Sequence, residues 1–508
     1  MVDNGMSTAT RPNYWWWTLL AGLIFALAAV VVAPLMGLEI SNELFNQAGQ
    51  VTWLTLFVGV FLLGCLFTWL LMSRPVRFSP VRGGVTGILV TFFAYPLVLT
   101  LADLVQRNWG AGTLEARTDH VVLAIGLTLI TTGFAAILFG AVVGMAITWL
   151  LMRFHRPTAA IVSAHANRPR HKLVRGLIRA ATVAALVLLV FFVGSFVWLT
   201  LMPLNVDGLE PNSKASTPAQ NYEEAIAAYD GIRAQEATME LHERCNSTLL
   251  THGSKVARVV VYFHGLTSCP AQADELALQL FEKGYNVYLP RMFGHGYADP
   301  LTEAPADMRA EELVEYAGRS VDLAQGLGDE VVVVGLSAGG TIASWLAQYR
   351  SDVDISISVS PFFGPYLVPA WAAHAATNLL LLMPNSWVWW NPLETVRPPE
   401  VNYAYARWSS HALGQVMRLG AIVASSARAE PPLAANIDML LNEADVAVSM
   451  DLAERIITSW RRHGRSVSVE VLPFSRRLPH DLIDPREPMG DVELVYPILF
   501  DMIDAPRP

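Results

Sequence analysis

The sequence predicts two joined parts: an α-helical membrane block of five transmembrane helices, then an α/β domain with a mostly parallel sheet and a helical lid insertion. Three observations predict it. Long uncharged apolar runs are concentrated before residue 203. Charge divides at the same place, with 13 Lys+Arg against 6 Asp+Glu in residues 1–203 and 22 against 38 in the remainder. Beyond residue 203, β-branched runs alternate with stretches of helical spacing, the pattern of parallel strands covered by helices on both faces. The 508-residue chain is 53% hydrophobic and only 16% charged, against roughly 25% charged residues in a soluble domain. Its net charge of −9 argues against a nucleic-acid partner, because phosphate binding needs a basic face.

A bilayer core needs about 20 apolar residues as a helix. Runs near Trp15–Leu38, Val51–Met72, Gly84–Leu104, Val121–Met152 and Ala180–Met202 meet that length. The first is longer than the apolar core of a cleaved signal peptide and begins with Trp15, Trp16 and Trp17, which suit an interfacial belt, so it reads as a retained helix. Pro96 in the third is tolerated where neighbours satisfy the freed backbone. The fourth would run about 48 Å at 1.5 Å per residue, so it should tilt or project. The loop at 39–50 has no Lys or Arg, whereas 153–179 carries Arg153, Arg156, Arg168, Arg170, Lys172, Arg175 and Arg179. Basic loops stay inside. The expected arrangement is a cytoplasmic tail at 1–14, spans within 15–202, and everything after Met202 extracytoplasmic. Asp103 is the one ionisable residue expected within the spans, near an interface, so the block reads as an anchor rather than a transporter.

Residues 203–240 read as a linker followed by a helix over Tyr222–Gln235, and 241–508 as the α/β domain. Its expected strands are Ala257–Phe263, Tyr285–Pro290, Glu330–Val334, Val353–Val359, Asn436–Leu441 and Ser466–Leu472. Helices are expected over Ala273–Lys283, Glu311–Leu327, Thr341–Tyr349, Asp451–Arg462 and Val492–Ile503, with Gly284 stopping the first of them. Residues 362–430 interrupt the rhythm with no clear strand and many aromatics, among them Trp371, Trp387, Trp389 and Trp390. Leu367–Pro384 imitates a sixth span, but His374 and Asn378 interrupt it, and crossing there would strand the later elements in the wrong compartment. The segment therefore reads as an apolar helical insertion above the sheet.

Val331–Val334 leads into Gly335-Leu336-Ser337-Ala338-Gly339 and then a helix, which is G-x-S-x-G at a strand-to-helix turn. On its own the pentapeptide recurs by chance; its context makes Ser337 the candidate nucleophile. Such a turn strains the serine and leaves room only for glycine on either side. A serine hydroxyl needs a general base, and the base needs an orienting carboxylate. His480 alone of the histidines follows the last expected strand, so it is the candidate base; His411 and His463 fall in the insertion and at a helix end. The acid should follow the strand ending near Leu441. Asp445 is preferred, Glu443 is next, and Asp438 falls within the strand. Two preorganised N–H donors should hold the oxyanion: Ala338, just after the nucleophile, and Leu266, in the His264-Gly265-Leu266-Thr267 loop after the first strand. His264 and His295 then read as bracing residues.

The sequence lacks H-E-x-x-H, zinc-spaced cysteine pairs, an EF-hand loop, a P-loop and a dinucleotide fingerprint, so no metal and no cofactor are expected. Cys65 falls inside the second expected span. Cys245 and Cys269 form a candidate disulfide, with two buried thiols as the alternative. The bond would close about 24 residues, contribute roughly 3 kcal/mol and tie down the oxyanion loop.

At these residues the chain resembles the α/β-hydrolase superfamily, in particular bacterial carboxylesterases and monoacylglycerol-lipase-like serine hydrolases. The resemblance rests on His264-Gly265-Leu266-Thr267, Gly294-His295-Gly296, Gly335–Gly340, Asp445 and His480-Asp481, and spans about 241–508. It implies a Ser-Asp-His triad, an acyl-enzyme intermediate and no metal; the five-span block is no part of it. The expected function is a membrane-anchored serine hydrolase cleaving lipid-like or medium-chain carboxylic esters. Its partners would be a small-molecule or lipid ester and the lipid bilayer. The alternatives are an acyltransferase using the same triad and a non-catalytic hydrolase-like binding domain.

Overall fold

The computed structural model describes residues 14–35, 53–72, 83–93, 140–149, 187, 190–191, 193–210, 216–366, 368–390 and 397–505. It divides into two units, one within Met1–Asn108 and Ile125–Trp198, the other containing Leu199–Pro508.

In the first unit, helices α1 (Tyr14–Leu35) and α2 (Trp53–Met72) pack through Ala21, Phe25, Ala26, Leu56 and Val60. Their approach is close enough that a Cβ on Gly22 would lie 2.5 Å from the Cys65 Sγ. The helical segments 83–93 and 140–149 also meet backbone to backbone, since a Cβ on Gly87 would lie 1.7 Å from the Gly140 carbonyl oxygen. No helix among the described residues is long and apolar enough to cross a membrane. This overturns the expected five-span block and, with it, the placement as a multi-pass integral membrane protein with the hydrolase domain outside. A span needs about 20 apolar residues in one continuous helix, a demand that no helix of the described residues meets. The loops at 39–50 and 153–179, which set the expected orientation, lie outside the described residues.

In the second unit α3 (Tyr222–Glu236) precedes a seven-stranded sheet ordered β1-β3-β2-β4-β5-β8-β9. Its strands are β1 (Thr248–Leu250), β2 (Val256–Phe263), β3 (Asn286–Leu289), β4 (Gly328–Leu336), β5 (Ile355–Val359), β8 (Asn436–Asn442) and β9 (Val467–Leu472). All pairings are parallel except β1 with β3. The crossovers contain α4 (Asp274–Glu282), α5 (Ala310–Ala324), α6 (Ala338–Tyr349) and α9 (Met450–Arg462), and α10 (Val492–Asp504) ends the fold. Side chains alternate along a strand. Val260 and Tyr262 of β2 therefore join Leu276 and Leu280 of α4 and Leu499 of α10 in one core, while Phe263 turns to the other face and meets Tyr316 of α5 edge-on at 5.4 Å. The register pairs Phe263 with Gly335, Leu336 with Val359, and Val359 with Leu440. The carboxyl ends of β2, β4, β5 and β8 thus open along one edge, where ligands of such sheets bind.

Between β5 and β8 lies the insertion, with helices α7 (Ala373–Leu382) and α8 (Ser410–Ala429). It also contains an antiparallel pair, β6 (Trp387–Trp389) and β7 (Arg407–Ser409), where the sequence suggested no strand. Three-residue strands are too short to declare a period, and the Arg407 guanidinium, 4.3 Å above the Trp387 ring, joins residues far apart in the chain. The polar residues that interrupt Leu367–Pro384 also find a reason: His374 and Asn378 hydrogen-bond the Met202 carbonyl at 2.8 and 2.9 Å, and Asn378 also donates to the Leu199 carbonyl at 2.8 Å.

Candidate active site

Ser337 stands at the end of β4, directly before α6, with φ 58° and ψ −115°. That left-handed backbone is costly for a non-glycine residue and persists only where its surroundings hold it. Here they do. The Ser337 N–H donates to the Val359 carbonyl at 3.0 Å, and its own carbonyl accepts from Thr341 and Phe362, each at 3.0 Å. The flanking glycines are obligatory for steric reasons. A Cβ on Gly335 would lie 2.1 Å from the Gly339 carbonyl oxygen, and one on Gly339 would lie 1.9 Å from that of Phe263.

The loop after β8 carries Asp445 and the loop after β9 carries His480. They meet: His480 Nδ1 donates to Asp445 Oδ2 at 2.6 Å, with the aspartate 2% exposed. The other carboxylate oxygen accepts the N–H groups of Ala447 at 2.8 Å and Val448 at 3.3 Å, which fixes the carboxylate plane. Burial pulls the His480 imidazole down, but the charge of Asp445 and the hydrogen bond to it outweigh burial, so its pKa stands above 6.5. Among the described residues the Ser337 hydroxyl makes no hydrogen bond. Nucleophile–base contacts are often loose before substrate binds.

The competing carboxylates lie elsewhere. Glu443 accepts the Phe474 N–H at 2.8 Å, and Asp438 is buried within β8 opposite Ile357 and Ser468. His411 bonds the Met383 carbonyl and His463 that of Arg428, away from the Asp445–His480 pair in sequence and partner. His264 accepts the Met292 N–H on Nε2, so its proton sits on Nδ1, which donates to Gly265 O at 2.9 Å. Burial and the neighbouring His295 push His264 down to about 3, and burial pushes His295 to about 4. Both rings are neutral at physiological pH, as bracing requires.

Among the described residues neither the Leu266 N–H nor the Ala338 N–H, expected from the sequence to hold an oxyanion, has a hydrogen-bond partner. Their loops are adjacent: a Cβ on Gly265 would lie 3.6 Å from the Ser337 Cβ. Cys245 and Cys269 are joined by a disulfide, which anchors the far end of the Leu266 loop.

Sequence reasoning missed two positioning side chains. Asn442, at the end of β8, donates to the carbonyls of Leu478 and Pro479, both at 3.1 Å, and so holds the residues just before His480. Gln272 donates to Asp481 at 2.6 Å and accepts from the Gly265 N–H at 2.9 Å and the Tyr262 hydroxyl at 3.0 Å. It links the His480 loop to the Leu266 loop. No local motif marks either residue, because each acts across the sheet edge.

Residues 254–418 match the family model described as Hydrolase_4, serine aminopeptidase S33. Solved structures similar to the chain include one from the metagenome-derived lipolytic enzymes LipS and LipT, at 17% identity and TM-score 0.40, covering 52% of this chain and 99% of that one. The monoacylglycerol lipase of Paleococcus ferrophilus matches at 17% identity and TM-score 0.38, covering 52% and 99%. A soluble variant of monoglyceride lipase from Saccharomyces cerevisiae matches at 12% identity and TM-score 0.40, covering 51% and 90%. No curated protein matches. The family match runs from just before β2 into α8 of the insertion and includes Ser337, whereas Asp445 and His480 lie beyond it.

Proposed function

We propose that the α/β-hydrolase domain is a serine hydrolase of carboxylic esters with lipid-like or medium-length acyl chains. The observation that carries this reading is the Asp445–His480 hydrogen bond at 2.6 Å, formed on the same sheet edge as the strained Ser337. In the proposed reaction His480 Nε2 removes the Ser337 proton as Oγ attacks the ester carbonyl. Asp445 keeps the other imidazole proton on Nδ1 and stabilises the imidazolium that forms. The N–H groups of Leu266 and Ala338 receive the developing oxyanion, a contribution of several kcal/mol for each well-aimed donor. Collapse of the tetrahedral intermediate expels the alcohol, which takes its proton from His480 and leaves Ser337 acylated. Water then repeats the attack, with His480 again as base, and releases the acid.

The acyl preference rests on the insertion, whose half-buried Trp390 reaches the Leu266 loop through its hydrogen bond to Thr267. A series of p-nitrophenyl esters from acetate to dodecanoate tests the reading. Turnover that rises with chain length and disappears in Ser337→Ala is expected. Activity of the native protein no higher than that of Ser337→Ala overturns it. Turnover of aminoacyl naphthylamides in preference to esters would move the substrate to peptides.

A further inference from the structure

Thr267 follows the proposed oxyanion donor Leu266 and holds a left-handed backbone, φ 69°. That conformation is unfavourable for a β-branched residue, so something must hold it. Two contacts from the insertion do. The Trp390 indole N–H donates to the Thr267 hydroxyl at 2.8 Å, and the Tyr405 backbone N–H donates to the Thr267 carbonyl at 2.8 Å. Tyr405 is itself fixed, since its hydroxyl accepts the Tyr297 N–H at 2.9 Å and its ring stacks on His295 with centroids 6.0 Å apart. Trp390 is tied to the same strand end, its N–H donating to the Ala406 carbonyl at 3.0 Å. On the other side of Leu266, Gln272 holds Gly265. The donor peptide is therefore gripped before and after, and one of the two grips belongs to the insertion that would contact the acyl chain.

We propose that Trp390 and Thr267 are positioning residues through which the insertion sets the Leu266 N–H toward the oxyanion. Acyl-chain contacts on the insertion and transition-state stabilisation at the carbonyl are then linked through Thr267, by the hydrogen bonds it receives from Trp390 and Tyr405. The proposal rests on the ester-hydrolase reading. It implies that breaking the bond costs kcat rather than substrate affinity, since the lost interaction exists only in the transition state.

The test compares Trp390→Phe, Thr267→Val and Thr267→Ser in the full chain. It uses a medium-chain p-nitrophenyl ester and, separately, a trifluoromethyl ketone that forms a tetrahedral adduct with the nucleophile. Trp390→Phe removes the donor and Thr267→Val the acceptor, whereas Thr267→Ser keeps the hydroxyl. Expected is a fall in kcat of about tenfold or more in the first two, below the 10²–10³ of a donor removed outright. Their KM should stay within about twofold, the ketone should bind correspondingly more weakly, and Thr267→Ser should behave as the native protein. Melting temperatures measured in parallel identify a variant that has lost its fold, and the other variant then carries the test. Unchanged kcat in folded Trp390→Phe or Thr267→Val, or a loss confined to KM, overturns the clamp while ester hydrolysis stands. Native protein with no turnover above Ser337→Ala overturns the ester-hydrolase reading and the clamp together.

Discussion

The Asp445 carboxylate and the His480 imidazole face one another at 2.6 Å across the carboxyl ends of β8 and β9, although 35 positions separate them in the chain. The pairing fixes which ring nitrogen is protonated and leaves Nε2 unprotonated for base catalysis at pH values above the His480 pKa. Replacing Asp445 with asparagine keeps the shape and removes the charge. We expect kcat to fall on the order of 10³- to 10⁴-fold in a variant that still folds, measured by steady-state kinetics and thermal unfolding. A loss below tenfold would show that Asp445 does not orient the base.

The same pair sets the pH dependence. Burial lowers the His480 pKa, and Asp445 more than restores it, leaving it above 6.5. The base works only when neutral, so kcat/KM should rise with pH through a single limb centred above 6.5. The stability term has the opposite sign. A raised histidine pKa stabilises the fold fully below the unfolded value near 6.5 and is lost as pH rises through the folded value. Thermal melts across pH 5 to 9 should show Asp445→Asn losing more stability at the acid end. An acid limb in native kcat/KM well below 6.5 would contradict this.

Asn442 holds the histidine loop by two hydrogen bonds and is 4% exposed. Asn442→Ala leaves the carbonyls of Leu478 and Pro479 without that donor, so a loss of roughly 1–3 kcal/mol is expected. Because His480 follows Pro479 directly, kcat should fall in the same variant. Denaturant unfolding and ester kinetics measure the two effects, and a stable variant with native kcat would deny Asn442 a positioning role.

Gly339→Ala tests the elbow's steric demand. Its Cβ would meet the Phe263 carbonyl oxygen at 1.9 Å, backbone against backbone, where no side chain can swing aside. Strain of several kcal/mol should leave the protein insoluble or melting far below the native chain. A soluble Gly339→Ala with native melting temperature would show that strand and helix can separate there.

Removing the disulfide as Cys245→Ser with Cys269→Ser opens a closed loop of 24 positions. The chain-entropy model gives roughly 3 kcal/mol, visible as a lower urea midpoint. Both residues are fully buried, so the double serine variant also places two hydroxyls in an apolar cluster; Cys245→Ala with Cys269→Ala separates that effect. No change in midpoint in the alanine pair would mean that the neighbouring contacts hold the loop without the bond.

Much of the α/β domain could be read locally. Runs such as Val259-Val260-Val261 declare a buried strand by composition, and Gly335–Gly339 declares an elbow by the exclusion of any side chain beside the serine. Both signals are carried by consecutive residues, and the strand and helix boundaries of β2, β8, α9 and α10 lie within a residue or two of expectation. Apolar runs before residue 203 suggested five spans, whereas no helix among the described residues is long and apolar enough to cross a membrane. The Trp387–Trp389 strand escaped notice because its partner, Arg407–Ser409, lies beyond a gap that no local pattern bridges.

Order along the chain nominated Ser337, Asp445 and His480, because the chemistry of a nucleophile, an acid and a base limits which residue types qualify. Folding set Asp445 rather than Glu443 against His480, joined Asn442 and Gln272 to the His480 loop, and brought Trp390 onto Thr267. Those contacts join residues far apart in the chain, and their partners exist only once β2, β4, β8 and β9 lie side by side. A hydrogen bond depends on angstroms between atoms, whereas a linear text records only the order in which they were linked.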